Sequence, residues 1–248
     1  MATCYAGPMR KAPTALMWSL ALVMCALAAR YFLSPPPLLH PELPPELAKE
    51  PIARAISGLA EHLYVHHRWT MLAHIGAGIG AMAGGLLQFV PAIRRARPRL
   101  HRGVGLAYLA GVTLGGATGV PLAFQFLGAV PPELHRVFYP SVVAFLVLSP
   151  TWVAVSAMAF LRARQRRFDE HRAWMVRSYS LTFAAVTARV LAPLFLALTG
   201  DPALLANGGI VLWPLNLAFA EWLLRRKGPA RASVPVPGVD LPSTLKPS

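Results

Sequence analysis

The stretch HRAWMVRSYSLTFAAVTAR, residues His171–Arg189, decides the fold, because it is a long apolar run that begins with a histidine and ends with an arginine. At about 100° per residue, these two end residues return to the same line of a helix after about five turns. The residues between them on that line are Met175, Ser178, Thr182 and Ala185. Since a charge inside a membrane must find a partner, the pattern predicts a membrane-spanning helix with one stripe facing the protein interior.

The composition of the whole chain agrees with a membrane protein. Of its 248 residues, 55% are hydrophobic and 14% are charged, whereas soluble domains carry about 25% charged residues. The net charge is +14, but the arginines form short clusters between apolar runs, so nucleic-acid binding is not indicated. Cys4 and Cys25 have no metal-binding or redox spacing. No hydrolase or nucleotide-binding motif is present.

Six apolar segments come close to the length of about 20 residues that a membrane-spanning helix needs. They cover residues 13–33, 70–91, 103–127, 137–161, 174–199 and 208–224. We therefore predict an all-α polytopic membrane protein with six transmembrane helices, in which helices two to five form the core bundle. The first apolar run is longer than that of a signal peptide, which favours an uncleaved anchor.

The distribution of arginine and lysine predicts the orientation. When Arg177, at the start of segment five, is counted with the connection before it, 18 of the 24 basic residues lie before segment one, between segments two and three, between four and five, or after six. By the positive-inside rule, these connections and both termini are cytoplasmic, and the protein is a multi-pass protein of the cell membrane, as in a bacterial inner membrane.

The same interpretation divides the chain into five parts. Residues 1–12 form a cytoplasmic N-terminus and 13–33 the first transmembrane helix. Residues 34–69 form an extracytoplasmic connection, proline-rich at its start, with an amphipathic surface helix at 48–66. Residues 70–224 form a five-helix membrane domain, and residues 225–248 form a disordered cytoplasmic tail.

Glycines recur at helical spacing in segments two and three. They are Gly76, Gly80 and Gly84 in segment two, and Gly111, Gly115 and Gly119 in segment three. Small residues four apart allow close helix packing in lipid. The alternative is that a glycine face leaves room for a flat cofactor.

One histidine lies on each of helices two to five. These are His74 and His135 toward the outer side, and His101 and His171 toward the inner side. A b-type haem within a bundle needs two imidazoles at equal depth on facing helices. The pattern therefore predicts haem b at two sites, with His74 and His135 ligating one iron and His101 and His171 the other.

Arginines accompany these histidines. Arg102, Arg136 and Arg172 each follow a histidine directly, and guanidinium groups suit haem propionates. The alternative is that each histidine–arginine pair anchors a helix end at the lipid headgroups. His74 lies deeper in an apolar run, so a ligand or partner is favoured for it.

Arg189 needs a partner of its own, because it lies inside segment five toward the outer leaflet. A propionate of an outer haem, an anionic substrate and helix-end carbonyls are the alternatives. Glu221 lies too near the cytoplasmic end of segment six to serve.

Three pieces of the sequence carry a resemblance to a known family. They are LAHIGAGIGAMAGGLLQF from residue 72, RPRLHRGVGLAYLAGVTLGG from residue 97, and DEHRAWMVRSYSLTFAAVTAR from residue 169. Together they resemble the bacterial membrane family known as domain of unknown function 2306. The resemblance implies an integral membrane protein and no particular chemistry.

The layout of the histidines is also loosely similar to that of ascorbate-dependent transmembrane b-type cytochromes, which ligate two haems between alternate helices. By this analogy His74, His101, His135 and His171 would be the ligands. The ligands here lie closer to helix ends, and an ascorbate-site motif is not recognisable.

Two functions follow as hypotheses. The first is a haem b protein that transfers electrons across the bilayer from a quinone or small reductant, which would make it a transmembrane oxidoreductase. The second is a non-redox membrane protein, either a small-solute or proton-coupled carrier or an assembly factor. No motif identifies a substrate, a donor, an acceptor or an oligomeric state.

Overall fold

The structure, a computed structural model, describes residues 11–33 and 45–226 as a set of helices. The helices are α1 (Lys11–Leu33), α2 (Pro45–Lys49), α3 (Pro51–His66), α4 (Arg68–Gln88), α5 (Pro91–Ala96), α6 (Pro98–Ala129), α7 (His135–Arg164), α8 (Phe168–Thr199) and α9 (Ala203–Arg226). A short 3₁₀ turn, Pro132–Leu134, precedes α7. Nearly all of the predicted N-terminus and tail, and the proline-rich start of the outer connection, lie outside the described residues.

The predicted all-α polytopic class is confirmed. Five helices in the described ranges are long and apolar enough to cross a membrane: α1, α4, α6, α7 with its preceding turn, and α8. The sixth predicted segment, 208–224, lies within α9, which has 24 residues but is not among those five. The predicted amphipathic helix at 48–66 corresponds to α3, with Pro51 at its first turn.

Local sequence explains several helix ends. Proline occupies the first turn of α3, α5 and α6, where its missing N–H costs nothing and its fixed φ suits the helix. Helix α8 ends at Gly200, whose φ of 71° lies in the left-handed region that glycine adopts without a steric penalty. Proline at helix starts and glycine after a helix end thus mark the short turns between consecutive helices.

The buried core lies between α4, α6, α7 and α8, which are the second to fifth predicted transmembrane helices. Its largest buried members are Leu86, Tyr108, Met175 and Tyr179. Helix α1 contributes Ala21 to this cluster and otherwise exposes much of its surface. The predicted core bundle is thus confirmed, with α1 packed against its side through α4 and α8.

The glycines of α6 allow close helix approach. A Cβ atom at Gly111 would lie 3.0 Å from the carbonyl oxygen of Ala77, and one at Gly119 would lie 2.7 Å from the Ser149 hydroxyl. In α4 the predicted glycines are less crowded, since a Cβ atom at Gly80 would meet nothing within 4 Å. The packing role therefore belongs mainly to the α6 glycines.

Polar side chains attach α9 to the bundle. Asn207 donates to the carbonyl of Val137 at 2.7 Å, and Asn216 donates to the carbonyl of Ser180 at 3.2 Å. Near the arginine-rich end, Glu221 accepts two hydrogen bonds from the guanidinium of Arg177. Interhelical hydrogen bonds of this kind hold helices together in lipid. Glu221 therefore has its own partner on α8, far from Arg189.

Helix α3 lies across the other end of the bundle, which has few arginines. Its Leu63 is buried with Met71 of α4 and Leu122 of α6, and Leu59 and Tyr31 pack against the same cluster. The apolar side of α3 is thus bound to the ends of the spanning helices.

Candidate functional site

The stripe of α8 that runs from His171 to Arg189 faces inward along its first half. Met175, Ser178 and Thr182 are all buried, and Ser178 has no exposed surface. Further along, Ala185 and Arg189 leave the packed core and line a cavity instead. The stripe therefore has two parts, a packed half toward the arginine-rich end and a cavity-lining half toward the arginine-poor end.

The packed half carries a buried network of hydroxyl groups. The Tyr108 hydroxyl lies 2.6 Å from Ser178 Oγ and 3.0 Å from Thr182 Oγ1. Ser178 Oγ lies 2.6 Å from Ser156 Oγ, and the Trp152 indole N–H donates to Thr182 Oγ1 at 3.0 Å. Ser156 in turn donates to the Trp152 carbonyl at 2.7 Å. Three helices are joined through groups that would be costly to bury without partners.

Two adjoining cavities lie beyond this network. The first has a volume of about 400 Å³ and receives side chains from α1, α4, α6, α7, α8 and α9. The second has a volume of about 440 Å³ and extends toward α3 and the end of α1. His74 and Arg189 line both cavities. Trp152 and Thr182 line the first cavity, so the hydroxyl network forms its floor.

His74 is oriented by α6. Its Nδ1 lies 3.0 Å from the Gly115 carbonyl oxygen and 3.2 Å from Thr118 Oγ1. The imidazole packs beside Gly119, where a Cβ would lie in ordinary van der Waals contact, 3.5 Å from His74 Cε1. A carbonyl acceptor favours the proton on Nδ1, which leaves Nε2 as a hydrogen-bond acceptor. His74 is therefore a fixed polar group on the cavity wall.

Arg189 approaches the same cavities from α8. Its Nη1 donates to the carbonyl of Ala185 on its own helix at 3.2 Å. The guanidinium also lies close enough to Tyr31 and His74 to interact electrostatically with both. No carboxylate of the described chain forms an ion pair with it, and the described residues of both cavity walls include neither aspartate nor glutamate. The Ala185 carbonyl lies inside α8 and is therefore not one of the predicted helix-end carbonyls. Among the described residues, Arg189 makes no other hydrogen bond.

His135 and Arg136 are the first two residues of α7. His135 Nε2 lies 2.9 Å from the Val130 carbonyl, which closes the turn before α7, and its ring faces Tyr139. In the described part of the chain, His135 makes neither a hydrogen bond nor a ring contact with His74. Arg136 is exposed. The cavity walls include neither residue.

His101 and His171 come near enough to each other at the arginine-rich end to interact electrostatically. His171 Nδ1 lies 2.8 Å from the Ala159 carbonyl. His101 Nδ1 is buried without a hydrogen-bond partner in the described structure. The accompanying Arg102 bonds weakly to its own helix at Pro98, and Arg172 pairs with Asp169 at 3.3 Å.

The described side chains give little indication of a metal ion. Within residues 11–33 and 45–226, no group of three or more histidine, cysteine, aspartate or glutamate side chains is arranged to hold a metal ion. Haem ligation by two histidines does not require such a group. The role of the four histidines as haem ligands stays a prediction.

Sequence reasoning missed several residues of the cavities. Tyr31, Ser141 and Trp213 line the cavities with His74 and Arg189, and the buried Trp213 indole N–H has no acceptor among the described residues. Their only sequence signal is a polar atom within an apolar segment. That signal is shared with many interface residues, so the sequence could not single them out.

The fold and the site together define a class, a polytopic α-helical membrane protein with a cationic cavity inside its helix bundle. The family described as "Predicted membrane protein (DUF2306)" matches residues 71–224. The chain belongs to this family. Comparison with curated proteins and with solved structures finds no match.

The matched region begins within α4, so α1, α2 and α3 precede it. His74 and Arg189 lie inside the matched region. Met24, Cys25 and Ala28 of α1 nevertheless line the first cavity, and Leu59 and Leu63 of α3 line the second. The cavity thus combines polar groups of the family region with apolar walls from the preceding helices.

Proposed function

We propose that the protein binds a small anionic solute inside the membrane and acts as a non-redox carrier or binding protein. The observation that carries this proposal is that Arg189 lines both cavities and forms no ion pair within the described residues, while His74 adds a second polar group to the same walls. Cavities of a few hundred Å³ with a few convergent polar groups are typical ligand sites.

The charge of Arg189 supports an anion in particular. Arg189 lies ten residues before the end of α8, which is about 15 Å along the helix. A charge within an apolar membrane helix is costly unless it is paired or solvated. Since the described residues of the cavity walls supply no carboxylate, an entering anion would be its natural partner.

The cell membrane and the inside position of both termini are part of the same proposal. The arginine-rich connections between α4 and α6 and between α7 and α8 support it through the positive-inside rule. In that orientation the second cavity lies toward the extracytoplasmic end of the bundle, beneath α3.

Arg189→Leu is expected to weaken anion binding about tenfold or more, because hydrogen bonds to charged groups contribute about 1.5–3 kcal/mol. The measurement is the thermal unfolding midpoint in nanodiscs of zwitterionic lipid, with acetate, inorganic phosphate or octanoate added. A bound anion raises the midpoint by mass action.

Arg136→Leu is the matched control, since Arg136 lies at the same end of the bundle but is exposed and lines neither cavity. It should bind as the wild type does. The proposal fails if no anion raises the midpoint, or if the shift survives unchanged in Arg189→Leu.

Haem b is a second candidate, and the inner histidine pair favours it. A ligating histidine usually directs its other ring nitrogen to a carbonyl or carboxylate, as His171 Nδ1 does toward Ala159. The unpartnered Nδ1 of His101 lies near it. Such a haem would transfer electrons with a quinone or small reductant.

His171→Ala is expected to abolish the inner-site haem signal if that candidate is right. The measurement is a reduced-minus-oxidised absorbance spectrum of protein purified from cells supplied with a haem precursor. His66→Ala, in the exposed part of α3, is the control and should keep the full signal. A colourless, folded wild type would remove haem from consideration.

A further inference from the structure

The two cavities share His74, Ser141 and Arg189, and both are otherwise lined mainly by apolar side chains. They differ in charge, because Arg30 lines only the second cavity, toward α3. The first cavity continues inward from His74 and Arg189 along apolar side chains and ends at Trp152 and Thr182. The apolar side chains include Ile79, Met82, Leu148, Leu181 and Leu212. The site thus has two arginines toward α3 and a single one, Arg189, at the entrance to the apolar first cavity.

The position of a ligand can be inferred from the residues that line each cavity. Arg189 and Thr182 are seven residues apart on α8, about 10 Å along the helix axis, and the guanidinium lies within that span because it bonds to the Ala185 carbonyl. Arg30 lines only the second cavity, on the side toward α3, whereas Arg189 lines both. A head between these arginines would therefore sit above the apolar first cavity, which ends at Thr182.

We propose that the ligand is a single-chain anionic amphiphile, with its carboxylate or phosphate head at Arg189 and Arg30 and a medium-length alkyl tail in the first cavity. This inference rests on the proposed function and specifies the class of its ligand. A head-only anion would leave the apolar pocket unfilled. A neutral alkyl chain would leave the Arg189 guanidinium, which forms no ion pair within the described residues, without an anionic partner.

Gly78 provides a way to close the tail pocket. It lines the first cavity one turn inward from His74, and a Cβ placed on it meets nothing within 4 Å. A leucine at this position is expected to occupy the pocket without disturbing the packed core. Gly80 is the matched control, because it has the same open surroundings but does not line either cavity.

The experiment measures binding of radiolabelled octanoate and octyl phosphate to the full chain in zwitterionic nanodiscs, with empty nanodiscs subtracted. Acetate, inorganic phosphate and octanol serve as competitors. Gly78→Leu should weaken binding of the chain-bearing anions about tenfold or more, and Gly80→Leu should leave it unchanged. The better binder of the two identifies a carboxylate or a phosphate head.

The outcomes separate this inference from the proposed function. Acetate or phosphate competing as well as its octyl counterpart, or unchanged binding in Gly78→Leu, would overturn the amphiphile while leaving anion binding intact. Octanol competing as well as octanoate, with no effect of Arg189→Gln, would overturn both. Binding is compared between variants that have the same unfolding midpoint as the wild type in the absence of ligand. Loss of folding is then not mistaken for loss of binding.

Discussion

Gly85→Ala is expected to destabilise the protein by about 1–3 kcal/mol, the usual cost of overpacking a core. Gly85 is buried in α4 beneath two aromatic rings. A Cβ atom there would overlap the Tyr179 ring and lie 3.0 Å from Tyr108 Cε2. The Tyr179 ring has little freedom to move away, since it packs against Phe89 at 5.4 Å and its hydroxyl donates to the Met82 carbonyl.

The measurement is the free energy of unfolding in bicelles or nanodiscs. Gly80→Ala, five residues earlier in the same helix, is the control because its surroundings are open. It should be neutral or slightly stabilising, since alanine favours a helix over glycine by about 0.5–1 kcal/mol. Equal stability of the two variants would contradict the close packing of Tyr179 on α4.

Ser178→Ala is expected to cost about 1–3 kcal/mol, because it removes the central member of the buried hydroxyl network. Ser178 stands between Tyr108 and Ser156, with both oxygen–oxygen distances at 2.6 Å. Without it, the Tyr108 hydroxyl keeps only Thr182 and the Ser156 hydroxyl keeps only the Trp152 carbonyl. Single interhelical hydrogen bonds in membranes average about 0.6 kcal/mol, so a larger loss reflects the whole network.

Thr113→Val is the control for this prediction. The Thr113 hydroxyl is exposed and bonds only to the Leu109 carbonyl of its own helix at 2.9 Å. Its removal should change the free energy of unfolding by less than about 0.5 kcal/mol. A Ser178→Ala variant as stable as Thr113→Val would show that the network contributes little to the fold.

The packed half of the α8 stripe was predictable because it depends only on local geometry. Ser178 and Thr182 share a line with His171 at 100° per residue, and a polar stripe in an apolar helix must avoid lipid. Their burial follows without knowledge of any other helix. The family resemblance likewise rested on contiguous residues of α4, α6 and α8.

The partners of those residues were not predictable in the same way. Tyr108 lies 70 residues from Ser178 in the chain, and its position in α6 gives no sign of which neighbour it meets. The rotation of α4 about its own axis was equally unpredictable from the sequence. The spacing pointed to Gly80 and Gly84, whereas the closest ring contact falls on Gly85. Rotation about a helix axis is set by the neighbouring side chains and not by the helix itself.

The same distinction between sequence and tertiary structure applies to the candidate site. The sequence alone determined that this is an all-α membrane protein, and that Arg189 and His74 are polar groups within apolar helices, because hydropathy and periodicity are local properties. Only the tertiary structure decided that both line one pair of cavities with Tyr31 and Trp213, while His135 closes its own turn. The depth and rotation of each helix depend on contacts between residues distant in the chain, and those contacts decide which polar groups meet.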